Sequence, residues 1–398
     1  MQRDQLRMIC STMHRFNQRI TSALEERQAQ GLYRKLNCLG RGQAMSVQHE
    51  GQSLLNFSSN DYLGLAQDPE LVRAWQDGLS RFGAGSGASP LVTGFHSPHQ
   101  NLQAQLSEWL GYEHALLFSS GFSANQALLF ALLQEGDHLL QDKLTHASLI
   151  EAGMLSPATM RRFAHNDPSS LSRLVSRLGE HAPKLVVTEG VFSMDGDLSP
   201  LSDIASVCQQ SQSMLVVDDA HGCGVLGESG RGSCDHAGIK PDILVVTFGK
   251  AFGLQGAAIL CSQTMAEYLV QFARHFVYST AIPPAQAHAL SKACDIIQRD
   301  EWRRERLTAL GETLSEHLSP DVEMLETQTP IKPLMVGSSE RAVNVAEKLR
   351  QRGLWVSAIR PPTVPASAAR LRVTLTAAHQ DADIRLLAQA INEVWHEE

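Results

Sequence analysis

Five short apolar runs constrain this chain more than any other feature: residues 115–118, 185–188, 214–217, 243–248 and 257–261. Each is four to six residues long, is bounded by Gly, Asp or Pro, and is separated from the next by stretches with helical spacing. A strand that is apolar throughout must be covered on both faces. The pattern therefore predicts an α/β fold whose large-domain sheet is mainly parallel, with helices on both faces. In such a sheet, ligands bind at the carboxyl ends of the strands.

The flanks read differently. Residues 15–35 predict a polar amphipathic helix ending near Gly31, and residues 40–57 a short antiparallel pair turning at 49–53. Ser97 and Pro98 suit the cap and first turn of a helix whose apolar positions are Leu102, Leu106, Trp109 and Leu110, with Gly111 ending it. Ile282, Pro283 and Pro284 break a helix that begins near Met265, and a long helical stretch then runs to about Leu318. The last ninety or so residues alternate strands (334–336, 355–359, 371–375) with helices (340–352, 381–395), a smaller C-terminal α+β domain. The expected division is 1–59 (N-terminal helix and strand pair), 60–290 (the large domain) and 291–398 (the small domain).

At 398 residues, with 43% hydrophobic and 19% charged residues, the chain has the material for a large core and is not a disordered protein. Its net charge of −8 speaks against nucleic-acid or membrane-surface partners, which call for a basic patch. No apolar stretch is long enough to span a bilayer, and the first twenty residues lack a signal-peptide core. Seven cysteines without a CxxC pair fit reduced thiols in a cytoplasmic protein and give no metal site. Met13 is an alternative start, and residues 1–13 are expected to be poorly ordered.

Three segments carry chemistry. After the run at 214–217 come Asp218, Asp219, Ala220, His221 and Gly222. After the run at 243–248 come Gly249 and Lys250, with Thr247 just before. These two strand ends lie 32 residues apart, one strand–helix–strand repeat, so they can face one pocket. A lysine at the mouth of a buried strand is costly unless paired or neutral. A Schiff base with an aldehyde cofactor resolves that cost. Pyridoxal phosphate then requires an acid against its ring nitrogen, and Asp218 is suited to that position. The third segment, 116–125, reads as strand, small-residue turn and helix. The free N–H groups at its helix start form a phosphate site. His146 can stack on an aromatic cofactor and His221 can bond its phenolic oxygen. A solvated lysine, a surface acid and structural histidines are the bland alternatives for each segment alone. The Gly83, Gly85, Gly87 run lacks a preceding strand and a following acid, so it is not a dinucleotide fingerprint.

Residues 60–65 (Asn-Asp-Tyr-Leu-Gly-Leu), 120–122, 218–222 and 247–253 together resemble the α-oxoamine synthases, fold-type I pyridoxal-phosphate enzymes that condense an amino acid with an acyl thioester and release carbon dioxide. The resemblance covers about residues 14–398. Segments 187–197, 278–280 and 358–365 are similar to the biotin-pathway members, which implies L-alanine and pimeloyl-CoA or pimeloyl-acyl-carrier protein as substrates. It implies that Lys250 holds the cofactor, Asp218 pairs with the pyridine nitrogen, His146 stacks on the ring and His221 bonds the 3-hydroxyl oxygen. It also implies that the Gly121 and Phe122 amides with Thr247 hold the phosphate and that Ser193 sits beside the ring oxygen. Thr280 would reach the phosphate of a neighbouring subunit's cofactor, which makes the protein a homodimer with shared sites. Arg360 would bind the amino-acid carboxylate, with Thr363 and Arg34 on the acyl side. Two departures from the family's pattern are Ser89-Pro90, which stiffens a loop where relatives carry Gly-Ser-Gly or Gly-Thr-Arg, and Cys223 in place of a threonine. The alternatives are a glycine- or serine-using member of the same family (glycine C-acetyltransferase, aminolevulinate or serine palmitoyl type) and a non-catalytic binding protein of the same fold.

Overall fold

The computed structural model describes residues 2–41, 45–179, 181–361, 363–365 and 367–397, and of residues 2–13 only the backbone. The first helix runs over Gln2–Ala29, so it begins well before residue 15. The expectation about order in residues 1–13 concerns Met1 and side chains that lie outside the described residues. Strand β1 (Gly40–Arg41) is followed by β2 (Ser46–His49) and β3 (Gln52–Asn56), which pair antiparallel with His49 opposite Gln52. Glu50 and Gly51 turn the chain there, both with positive φ (49° and 80°), as a two-residue hairpin requires.

The apolar runs form one seven-stranded sheet. Its strands are β4 (His114–Phe118), β5 (His138–Asp142), β6 (Thr159–Phe163), β7 (Lys184–Glu189), β8 (Met214–Asp218), β9 (Ile243–Thr247) and β10 (Ala257–Cys261). They lie in the order β4-β10-β9-β8-β7-β5-β6. The pairings from β9 to β6 are parallel, and β10 is antiparallel to both neighbours. The cause is the connection: residues 248–256 are too short for a crossover helix and return the chain directly beside β9. Buried side chains cover both faces, Leu117, Val186, Val217 and Val246 on one and Leu116, Val187, Val216 and Val245 on the other.

Strands β5 and β6 are additions to the five expected runs. β5 ends in buried Gln141 and Asp142, and β6, at the sheet edge, carries exposed Arg161 and Arg162, so neither reads as an apolar run. The helix Ser97–Leu110 is capped by His96 rather than Ser97, which stands with Pro98 in the first turn, and it ends at Gly111 with φ 76°. The helix expected from Met265 to the Ile282-Pro283-Pro284 break is two helices, Gln263–Phe272 and Arg274–Val277, divided at buried, extended Ala273. The stretch to Leu318 is likewise two, Pro284–Arg299 and Trp302–His317. Gly83 serves as the C-cap of the helix Pro69–Phe82, which fits its exclusion from a nucleotide loop.

The C-terminal part holds a three-stranded antiparallel sheet, β11 (Ile331–Gly337), β14 (Ala369–Thr374) and β13 (Ser357–Ile359), in that spatial order. β12 (Leu354–Trp355) leaves it to pair with β3 in parallel, so the N-terminal strands and the C-terminal part share a four-stranded sheet. The Thr374 N–H donates to the Phe57 carbonyl at 2.8 Å, and the Ala377 N–H to the Tyr62 carbonyl at 2.8 Å. Segment 57–62 is thereby fixed between the two sheets.

Arg303 fastens the same region. Its guanidinium is buried and reaches Asp68 (2.7 Å), Asp300 (3.1 Å) and the Leu63 carbonyl (2.8 Å). Removing it takes a counter-charge from two largely buried carboxylates, although Asp300 keeps Arg299 and Asp68 keeps its helix-cap donors, so Arg303→Ala is expected to lower stability by about 3 kcal/mol, read as a drop in the urea midpoint.

Candidate active site

The carboxyl ends of the sheet strands deliver their side chains to one cavity of about 260 Å³. It is lined by Gly121 and Phe122 after β4, His146 after β5, Asp218 and His221 at and after β8, and Thr247 and Lys250 at and after β9. These are seven of the residues singled out from sequence. Asn60, Asn125 and Glu189 line it as well. Of the adjacent acids after β8, only Asp218 lines the cavity. Asp219 turns away, accepting from the Ser233 N–H (2.8 Å) and hydroxyl (2.5 Å), and so ties down the loop that carries His221.

The loop after β9 explains how a lysine is held at a strand mouth. The Phe248 N–H donates to the Gly256 carbonyl (2.9 Å), the Leu254 N–H to the Phe248 carbonyl (2.9 Å) and the Gly253 N–H to the Lys250 carbonyl (2.9 Å). Phe248, Ala251 and Phe252 are buried beneath it. Gly253 is required, since it has φ 69° and any Cβ there would collide with the Ala66 nitrogen. Burial lowers the Lys250 ammonium to about 8, against the opposing pull of Asp218 and Glu189. About a tenth of the amine is therefore neutral at pH 7, rising to half near pH 8.

Asp218 is held as an acceptor. Asn125 Nδ2 donates to its Oδ2 at 2.7 Å, and the Ala220 N–H to its Oδ1 at 3.1 Å. Asn125 Nδ2 also donates to the Ser148 hydroxyl (3.0 Å), which stands 2.8 Å from His146 Nδ1. His146 Nδ1 also accepts from the Ser148 N–H (3.3 Å), so it is an acceptor and takes the Ser148 hydroxyl proton, and one amide helps position both the acid and the histidine. Glu189 lies opposite Asp218 across the β7–β8 ladder. Burial and the Asp218 charge raise its carboxyl far above the usual range, and its Oε1 has no partner among the described residues. Burial pushes the imidazoles of His146 and His221 down, so both are neutral.

The far end of the cavity suits a phosphate. The helix Gly121–Leu132 starts there behind a Ser120 cap, with the Ser123 N–H donating to Ser120 Oγ at 3.1 Å. The amides of its first turn are the usual anion donors. Thr247 Oγ1 is buried without a partner among the described residues. A Cβ on Gly121 would sit 2.5 Å from Thr247 Cγ2, so the two backbones can close on a ligand only with glycine at 121. An orphaned hydroxyl, a helix start, a buried acid and a half-buried amine together fit a phosphorylated pyridine aldehyde.

Five residues singled out from sequence do not line this cavity. The Ser193 carbonyl accepts from Arg372 Nε at 2.6 Å. Thr280 and Thr363 are exposed. Arg34 and Arg360 line a separate groove of about 700 Å³ with Tyr33, Arg350 and Trp355, where Arg360 Nη1 donates to the Gly31 carbonyl at 2.8 Å. Cys223 is buried as packing.

Asn60, Tyr62, Asn125, Glu189 and Arg372 are functional candidates that sequence reasoning does not assign a role, though all but Arg372 lie inside or beside the segments quoted above. Arg372, on β14, donates to Asn60 Oδ1 (3.1 and 3.2 Å) and Thr374 Oγ1 (3.1 Å). Its sequence signal is weak, since Arg370 and Arg372 alternate with Leu371 and Val373 and read as the polar side of an ordinary strand.

Behind Ser193 the chain is pinned by His165, whose Nδ1 is 2.9 Å from Asp142 and Nε2 2.8 Å from Asp197. Burial pulls its imidazolium down, but the hydrogen bonds and charges of the two carboxylates together outweigh that and raise it to about 9. The folded value lies above the unfolded one, so this contribution to stability is complete below about pH 6.5 and is lost as pH rises through about 9. The urea midpoint should fall across that window, and the fall should be shallower in His165→Gln.

Residues 52–391 match the family described as aminotransferase class I and II. An 8-amino-7-oxononanoate synthase from Photobacterium profundum is 63% identical over 387 residues, covering 96% of this chain and 98% of that one. A solved 8-amino-7-oxononanoate synthase from Francisella tularensis is 31% identical with a TM-score of 0.74, covering 86% of this chain and 98% of its own. A serine palmitoyltransferase variant from S. paucimobilis, solved with bound PLP–myriocin, is 26% identical with a TM-score of 0.88, covering 94% and 96%.

Proposed function

The chain belongs to the class I and II aminotransferase family, in its α-oxoamine synthase branch, and from that premise we propose that it acts as an 8-amino-7-oxononanoate synthase, joining L-alanine to a pimeloyl thioester with loss of carbon dioxide. The observation that carries the reading is one cavity holding Lys250, Asp218, His221 and Thr247, in a chain 63% identical to a synthase of that name over nearly its whole length. Pyridoxal phosphate, when bound, supplies an aldehyde that joins to amines and a ring that delocalises the negative charge left at an amino acid's α-carbon.

Each residue's part follows from its surroundings. Lys250 would hold the aldehyde carbon, and its amine, neutral in good part near pH 8, would take the α-proton of alanine. Asp218 would keep the ring nitrogen protonated, and Asn125 keeps that carboxylate aimed. His146 would lie against the ring face, held by Ser148. His221 would donate to the phenolic oxygen, with Ser193 nearby. The Gly121 and Phe122 amides and the unpartnered Thr247 hydroxyl would take the phosphate.

Arg360 is suited to the alanine carboxylate by its fork of donors, and reaching it would require release of the Gly31 carbonyl. The groove it shares with Arg34 is assigned to the acyl side with Thr363, for a thioester carried on coenzyme A or on a carrier protein. Thr280, exposed here, would serve the phosphate held by a second copy of the chain, so the working form is a homodimer. Phe16, Ile20 and Leu24, exposed at four-residue spacing on the first helix, support such a contact. No helix among the described residues is long and apolar enough to cross a membrane. The free cysteines of the described residues, most of them buried, favour a reducing compartment such as the cytoplasm.

The test is a steady-state assay of the purified protein with alanine, glycine or serine against pimeloyl, acetyl, succinyl and palmitoyl thioesters. Alanine with the pimeloyl thioester is expected to win. A preference of orders of magnitude for glycine with a short acyl chain, or serine with palmitoyl, would overturn the substrate assignment. A second check uses Gly121→Ala. The crowding of Thr247 is expected to weaken cofactor affinity about tenfold or more in a titration of cofactor-free protein.

A further inference from the structure

The Tyr62 hydroxyl stands 2.5 Å from His221 Nδ1, and both side chains are buried. Burial drives the phenol up to about 12, so Tyr62 keeps its proton across the working range. That proton has two acceptors in reach, His221 Nδ1 and Asn60 Oδ1 at 3.3 Å. Asn60 Oδ1 already receives both terminal nitrogens of Arg372. The shorter contact therefore takes the proton, and His221 Nδ1 is the acceptor. The charged and titratable groups acting on His221 are Lys250, Arg372 and His146, all of which disfavour a second ring proton. A neutral imidazole carries one proton, and with Nδ1 accepting, that proton is on Nε2.

We propose that Tyr62 is a positioning residue that fixes His221 in the Nε2–H tautomer, so that this ring always offers a donor, never a lone pair, to the cofactor's phenolate oxygen. The part concerning the phenolate rests on the function proposed above, whereas the tautomer itself does not. The backbone makes Tyr62 reliable in this task. Its N–H donates to the Asn60 carbonyl (2.8 Å), its carbonyl accepts from the Ala377 N–H (2.8 Å), and Gly64 turns the chain just beyond it with φ 68°. The segment that fixes the tautomer is thus clamped to the C-terminal sheet rather than to the strands bearing the cofactor site.

The test has two arms. In the first, cofactor-free protein labelled with ¹⁵N-histidine is examined by long-range ¹H–¹⁵N correlation, with the His221 signals assigned by their loss in His221→Gln. The wild type should show Nε2–H across neutral pH, and Tyr62→Phe should show a mixture of tautomers. An Nδ1–H ring in the wild type overturns the proposal even if the variant fails to fold, and a pattern unchanged by Tyr62→Phe overturns it as well. In the second arm, the pH midpoint of the bound cofactor's visible absorption is followed. Loss of a dependable donor to the phenolate should raise it by about half a unit or more in Tyr62→Phe, and Tyr62→Phe should add no shift in a His221→Gln background. An equal shift in both backgrounds overturns action through His221. A cofactor that fails to bind the wild type would instead count against the functional reading and leave the first arm's result standing.

Discussion

Lys250→Ala is expected to abolish turnover, by at least about 10⁴-fold, while the protein stays folded. The size follows from two losses at one atom. The amine is the covalent anchor for the cofactor aldehyde and the acceptor of the α-proton, and general-base removal alone costs about 10²–10⁴-fold. Its fold is expected to survive because the loop is held by its own backbone bonds and by Phe248, Ala251 and Phe252, none of which involves Nζ. Truncating a half-buried ammonium removes a desolvated charge but also the cation facing Asp218 and Glu189, so the melting temperature should change little. Lys250→Arg is the companion variant. It restores a cation but no titratable amine, and it should be as inactive as alanine. The measurements are single-turnover rates with alanine and acyl thioester, the visible band near ~420 nm expected of a lysine-bound cofactor, and thermal unfolding. Turnover within tenfold of wild type would remove the base from this position.

The legible part of this fold is the part where one physical pressure acts alone. Strands β7, β8 and β9 are buried on both faces, so their sequences are apolar runs and their ends are readable to a residue. Asp218, Thr247 and Lys250 are conspicuous because a polar group must follow such a run for a chemical reason. Strands β5 and β6 are opaque for the converse reason. Asp142 in β5 is polar because it must receive His165 and the Asn166 N–H, and β6 is polar because it has an edge. The helix breaks at Ala273 and Asp300 are opaque because neither is a proline or glycine: Ala273 is a buried alanine, and Asp300 is held by ion pairs to Arg299 and Arg303 that a helical pattern does not announce.

The same logic divides the site residues. Asn125 looks like an ordinary helix residue until Asp218 and Ser148 are brought to it from segments 93 and 23 positions away. Tyr62 reads as core, and it is core. Only the 159-residue separation from His221, closed in space, gives its hydroxyl a task. Arg34 and Arg360 line one groove distinct from the cavity, a juxtaposition across more than 300 residues that no local pattern around either arginine announces.

Asp218→Asn, the other large effect, should lower kcat about 10³-fold, a loss of the size seen when a group aimed at developing charge is removed. The substitution is nearly isosteric, but its hydrogen bonds do not balance. Asp218 now accepts from Asn125 Nδ2 on one oxygen and the Ala220 N–H on the other. An amide at 218 must point its own NH₂ at one of these donors. The strain is relieved only if Asn125 flips, presenting its now unpartnered Oδ1 to residue 218. That flip also presents Oδ1 to Ser148, whose proton would leave His146 Nδ1 to satisfy it. The loss should therefore be felt at His146 as well as at the ring nitrogen. Electrostatics adds a second signature. The Asp218 charge holds the Lys250 ammonium up and pushes the Glu189 carboxyl up. Without it both values fall: Lys250 becomes neutral at lower pH, and Glu189 ionises more readily beside the ring. The acid limb of the pH–kcat profile should therefore move to lower pH even as the plateau collapses. Asn125→Ala should share the first signature, a weakened His146 and a smaller fall in kcat, but leave the limb near its wild-type position because the carboxylate remains. A profile in Asp218→Asn that falls in height with no shift of its acid limb would mean that Asp218 does not act on Lys250.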